Sequence, residues 1–153
     1  MTGRARTLTL ADPPQFTPTE SCTVLDFNTN LIFKLKEIKP EEGLELVQPM
    51  LLDDETIFAA FKTVRDHVIF TNHRIIAVNV EGITGKKKDY TSLPFIKVQA
   101  FSVRTASLLA MDTIMDIWFN SMGIVTFEFS GRFDIAAFNK LIGQYILKAP
   151  GSN

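Results

Sequence analysis

The sequence predicts a mainly β domain of the α+β class. About seven antiparallel strands would curl into a barrel-like sheet, with a C-terminal helix over its open end and a short helix near its N-terminal side. Three observations carry this prediction. Apolar residues alternate with period two from Asp53 to Phe129. Turn residues separate the apolar runs at Asn72-His73, Gly82 to Gly85 and Asn120 to Gly123. From Phe133 to Leu147 the period becomes helical.

The chain has 153 residues, enough for one domain with a substantial core. Residues 1 to 23 carry Pro13, Pro14, Pro18 and many Thr without periodicity, and read as a flexible leader or an extended arm. The folded domain is expected from 24 to 150. Leu31 to Lys36, where Phe33 and Leu35 alternate with lysines, predicts a short strand or extended arm. Pro40-Glu41-Glu42 opens a short helix to about Gln48, because Pro suits the first turn and acids suit its positive end. Leu44, Leu46 and Val47 would form its apolar face, and Pro49 would end it.

Ile57, Ala59 and Phe61 are expected on one strand face, followed by a tight connection at Thr63-Val64. Asn72-His73 predicts a two-residue hairpin turn in a left-handed conformation between Val68-Ile69-Phe70 and Ile75-Ile76-Ala77-Val78. Lys86 to Thr91 reads as a lysine-guarded edge strand ended by Pro94, and Ile96 to Val103 as the next strand. Met115, Ile117 and Phe119 form one strand face. Val125, Phe127 and Phe129 face the core of another, with Thr126 and Glu128 toward water. On the last helix, Ile135, Phe138, Leu141, Ile142 and Tyr145 make the apolar stripe, and Pro150-Gly151 marks its stop.

The order of several stretches is specific. Phe61-Lys62-Thr63-Val64-Arg65-Asp66 is followed by Phe70-Thr71-Asn72-His73-Arg74-Ile75-Ile76-Ala77-Val78 and Gly82-Ile83-Thr84-Gly85-Lys86-Lys87. Ser92-Leu93-Pro94 and Phe101-Ser102-Val103 then complete the series. On these residues the chain from 24 to 148 resembles the bacterial pleckstrin-homology-like (PH) domain family. The resemblance implies a PH-like barrel: two near-orthogonal antiparallel sheets capped by a C-terminal helix. It also implies ring-like homo-oligomers and no assigned enzymatic activity. Acids expected near positions 104, 110 and 114 in related domains are replaced by Arg104, Ala110 and Ile114.

Composition narrows the function classes. Net charge is −1 with both signs interspersed, which argues against a nucleic-acid partner and a polybasic membrane anchor. Cys22 is the only cysteine, so no intrachain disulfide forms, and a reducing, cytoplasmic setting is expected. Arg4 and Arg6 before Leu8 to Ala11 superficially resemble a signal peptide, but Asp12-Pro13-Pro14 ends the apolar stretch too early. No run is long enough to span a bilayer.

No catalytic, cofactor or metal site is expected. His67 and His73 fall near opposite ends of one hairpin strand, too far apart to share a metal, and read as solvated or turn residues. Gly82 to Lys86 lacks the glycine spacing and following helix of a phosphate loop. Asp112 and Asp116, on one strand, would sit about 13 Å apart as solvent-facing acids, too far for a glycosidase pair. Enzymatic function remains only as a residual reading.

Two surfaces are candidates. Lys62, Arg65, Lys86, Lys87 and Lys88 could bind an anion or lipid headgroup, although Thr63-Val64 is a short loop for that purpose. The 68–80 hairpin is apolar on both faces: Val68, Phe70, Ile75 and Ala77 on one, Ile69, Ile76, Val78 and Val80 on the other. The second face is covered either by the curled sheet, the leader arm or the short helix, or by another protomer. Phe58, Val68, Phe70, Ile75 and Ala77 are the expected oligomer interface. The principal expectation is a non-enzymatic scaffold domain whose partner is a second copy of itself, along with protein partners not identified by the sequence. An anion or headgroup module is the alternative.

Overall fold

The computed structural model describes residues 34–105, 112–132 and 134–149. The leader with Cys22, the start of the first strand at 31–33, Ala110, Phe133 and the Pro150-Gly151 stop lie outside the described residues. The elements in chain order are β1 Lys34–Ile38, α1 Pro40–Val47, β2 Ile57–Lys62, β3 His67–Thr71, β4 Arg74–Glu81 and β5 Lys87–Pro94. They continue with β6 Val98–Thr105, β7 Thr113–Phe119, β8 Gly123–Phe129 and α2 Ile135–Leu147. Two 3-10 turns, Gln48–Met50 and Phe95–Lys97, follow α1 and β5.

The eight strands form one sheet in the order β5-β4-β3-β2-β1-β8-β7-β6. The described residues hold eight strands, against the about seven expected. β1 is the joint: it pairs antiparallel with β2 (Lys36 opposite Lys62) and parallel with β8 (Leu35 opposite Phe129). Among the described residues the sheet curls without closing, and β5 and β6 are its two edges.

The concave side holds a phenylalanine core. Phe61, Phe70, Phe127 and Phe129 are buried, and Phe138 from α2 lies edge-on to Phe70 at 5.2 Å and to Phe129 at 5.5 Å. Such tilted pairs add about 0.5–1.5 kcal/mol each beyond their burial. Asp134 caps α2 by accepting from the Ala137 N–H at 3.0 Å, as its position ahead of the apolar stripe requires. The helix buries Phe138, Ile142 and Ile146, whereas Leu141 is exposed. The expected stripe was therefore rotated by a fraction of a turn.

The convex side of β2, β3 and β4 carries a second, smaller core of Ala60, Ile69, Ile76 and Val78, closed by Val47 of α1. Glu42 accepts from the Lys39 N–H at 3.3 Å to start that helix. Its buried face is Gly43 and Val47; Leu44 points outward. A glycine sits there because a Cβ at 43 would lie 2.9 Å from the Ala60 Cβ.

Several local expectations differ from the structure. The register shifts between Ile57 and Ala59, so Ile57 joins the convex cluster while Phe58, Ala59 and Phe61 join the main core. One extra residue reverses the alternation. The 72–73 turn forms where expected, but neither Asn72 nor His73 has a positive φ. The Thr71 hydroxyl instead accepts from the His73 and Arg74 N–H groups at 3.1 and 3.0 Å. Ile96 lies in the 3-10 turn rather than in a strand. Glu128 and Asp116 are buried rather than solvent-facing.

Candidate functional site

The basic residues gather at the end of the sheet formed by the β2–β3 and β4–β5 turns. Gly82 and Gly85 adopt positive φ, which lets the β4–β5 turn fold back tightly. The Arg65 guanidinium donates to the Gly82 carbonyl and ties the two turns together. Lys87 pairs with Glu81 at 2.6 Å. Arg65 and Lys87 thus serve contacts within the chain, whereas among the described residues Lys62, Lys86 and Lys88 form no ion pair.

Sheet register adds a residue that the sequence did not single out. Lys36 on β1 lies opposite Lys62 on β2, which lies opposite His67 on β3. Like charges directly opposite each other on a sheet repel. The His67 imidazole has a buried Nδ1 with no hydrogen-bond partner. Burial pushes its pKa below the usual histidine value, and the Lys62 charge, with a smaller share from Lys88, acts in the same direction. His67 is thus not the solvated residue expected. His73 sits at the opposite hairpin tip, with Nε2 3.0 Å from Asp54 Oδ2.

The expected assembly residues occupy other places. Val68, Phe70, Ile75 and Ala77 are buried in the chain's own interior, and Phe58 stacks on Tyr145 of α2 at 4.9 Å. These positions do not fit an oligomer surface of the folded chain: the four hairpin side chains expose at most 4% of their area. The other hairpin face is covered by α1, one of the alternatives open from sequence.

Two polar clusters had no sequence signal. Glu55, buried, receives Arg74 Nε and Nη2 at 2.9 Å each and the Thr71 hydroxyl at 2.7 Å. Burial opposes its ionisation, but the Arg74 hydrogen bonds, the Leu52 N–H and Thr71 outweigh that, holding its pKa below the usual value. Arg74 also donates to the Met50 carbonyl and to Ser92 Oγ. On the second half of the sheet, Arg104 pairs with Asp116, which also accepts from the Thr126 hydroxyl at 2.7 Å. Asp112 precedes the strand and takes no part. Among the described residues no three His, Cys, Asp or Glu side chains converge as a metal site would require, and no helix is long and apolar enough to cross a membrane.

A family model described as the bacterial PH domain matches residues 26–146. The chain belongs to the bacterial PH domain family. Its fold is that of a binding or scaffold module. Among solved structures, a DUF1696 family protein with a pleckstrin-homology domain from Shewanella loihica PV-4 aligns with a TM-score of 0.66 at 28% identity, covering 75% of this chain and 99% of that one. A pleckstrin homology domain from Shewanella amazonensis SB2B aligns at 0.55 and 31%, covering 73% and 91%. A PH-domain-containing protein from Exiguobacterium sibiricum 255-15 shares the fold at 16% identity, with a TM-score of 0.51 and coverage of 73% and 58%. The uncharacterized protein YjqA of Bacillus subtilis (strain 168) is 45% identical over 69 residues, which span 45% of this chain and 55% of that relative. The match thus takes in about half the length of the relative.

Proposed function

We propose that this bacterial PH domain is a non-catalytic scaffold that assembles with copies of itself into a closed ring. The observation that supports this reading is the outer edge of β6. Among the described residues no strand pairs with it. From Val98 to Val103 it carries neither a charge nor a proline; Arg104, the one charge on the strand, is paired with Asp116, and a register shift between Val98 and Ala100 interrupts the start of the strand. The opposite edge, β5, carries Lys87, Lys88, Asp89 and Pro94. The regular, uncharged stretch from Ala100 to Val103 is a template for one more strand or loop. If β6 meets a different surface on the next copy, the contact is heterologous, and a rotation that closes gives a ring.

Light scattering on the full chain and on a Gln99→Lys/Ala100→Lys variant tests the reading. Both positions are exposed, so the variant keeps its fold. The parent chain is expected as an oligomer and the variant as a protomer with unchanged circular dichroism. An oligomer that ignores the substitutions removes β6 from the assembly.

A second reading is favoured by the Lys36–Lys62 pair beside His67, with Lys88 nearby. Repelling cations held together on one face form a place where an anion would relieve the repulsion. The alternative function is binding of an anionic headgroup there. Pelleting with phosphatidylserine-containing vesicles is expected to be salt-sensitive and lost in Lys36→Glu/Lys62→Glu. Equal pelleting with neutral vesicles removes this reading.

A further inference from the structure

At the end of the sheet away from the basic turns, a cleft of about 470 Å³ opens between the β3–β4 turn, the β5–β6 corner and the last turn of α2. That volume lies in the range of small-molecule sites, about 300–1,000 Å³. Its apolar lining comes from Leu52, Pro94, Phe95 and Ile96. Leu52 and Ile96 are 59% and 48% exposed, large for aliphatic side chains beside a cleft.

The polar groups divide by side. On the hairpin side they are already engaged. Arg74 is held by Glu55, Ser92 and Met50, and Asn72 bonds the Thr56 N–H and the Asp54 carbonyl. His73 is paired with Asp54, and its carbonyl accepts from the Phe95 N–H at 3.0 Å. This wall is therefore pre-organised. On the helix side, Gln144, Tyr145 and Lys148 line the cleft from adjacent turns. Among the described residues their side-chain polar atoms form no hydrogen bond or ion pair. The Tyr145 ring is fixed by its stack on Phe58.

We infer that this cleft binds a small amphipathic carboxylate. Its apolar body lies on Leu52, Pro94 and Ile96, and its carboxylate accepts from Lys148 and Gln144. Charge complementarity selects the anion. One lysine beside the negative C-terminal end of α2 suits a single charge and disfavours a dianion such as a phosphate monoester. The site is separate from the β6 edge and from the Lys36–Lys62 face.

The test is a titration of the isotope-labelled full chain with octanoate, and in parallel with octylamine, followed by amide chemical shifts. Octanoate is expected to give saturable shifts confined to residues around His73, Ile96, Gln144 and Lys148, with octylamine much weaker. Lys148→Glu is expected to weaken octanoate about fivefold, the scale of one exposed ion pair, while Lys97→Glu outside the cleft changes it less than about twofold. Lys148→Gln repeats the test without charge reversal, and retained spectral dispersion verifies folding of each variant. Equal shifts with octylamine, shifts scattered over the surface, no saturable binding, or indifference to both Lys148 substitutions would overturn the inference.

Discussion

Arg74 grips both carboxylate oxygens of Glu55, Nε to Oε1 and Nη2 to Oε2, each at 2.9 Å, joining the start of β4 to the segment ahead of β2. Glu55 is buried, and Arg74 bonds Met50 and Ser92 with two of its three other N–H donors. This one side chain fixes the segment that follows α1 against the hairpin. Arg74→Ala leaves a buried carboxylate without its cation, and a loss of about 3–5 kcal/mol is expected. Urea unfolding of the variant measures it, and a shift within error of the parent contradicts it.

The pH dependence follows from two groups with lowered pKa. For each, the unfolded chain binds protons more readily than the folded one, so stability rises with pH across the interval between the two pKa values. The His67 contribution is complete above 6.5 and disappears as pH falls through its folded value; Glu55 repeats the pattern below 4.5. Urea midpoints are expected to fall in two steps on acidification. His67→Gln is expected to remove the upper step and leave the lower.

Gly43 and Gly143 predict opposite signs. Alanine at 43 forces a Cβ to 2.9 Å from Ala60, and α1 must move off the sheet, at about 1–3 kcal/mol. At 143 the nearest atom, Phe101 Cζ, is 3.5 Å away, an ordinary contact. There the gain in helix propensity, up to about 1 kcal/mol, is expected to stabilise. Thermal unfolding should separate the two, by about 2–4 °C per kcal/mol for a chain of this size.

The convex cluster is a true second core. Ile69→Ala is expected to cost about 2–5 kcal/mol, and Leu44→Ala, on the partly exposed flank of α1, about 1 kcal/mol. Denaturant midpoints check the pair. Equal losses would mean that α1 packs by a different face.

The sequence carried the fold further than the site. Alternation located β7 and β8 because every second side chain (Met115, Ile117 and Phe119; Val125, Phe127 and Phe129) enters the main core, and the Asp134-led helical stripe located α2 because one of its faces is apolar. Ile57 was misplaced because period-two reading assumes a regular register and a bulge removes it. Glu128 and Asp116 were misread as solvent-facing because alternation does not reveal what covers the outer face. The two-faced hairpin was legible, but which element covers its second face was not; that depends on Gly43 letting α1 approach Ala60. The pairs Glu55–Arg74 and Arg104–Asp116, separated by 19 and 12 residues, leave no periodic trace, since only the folded chain brings them together.

The most direct test of self-assembly is the solution mass of the 153-residue chain at micromolar concentration. A closed ring predicts a single species at an integral multiple of 17.2 kDa, stable on dilution within the micromolar range. A mass of one protomer throughout that range would contradict it.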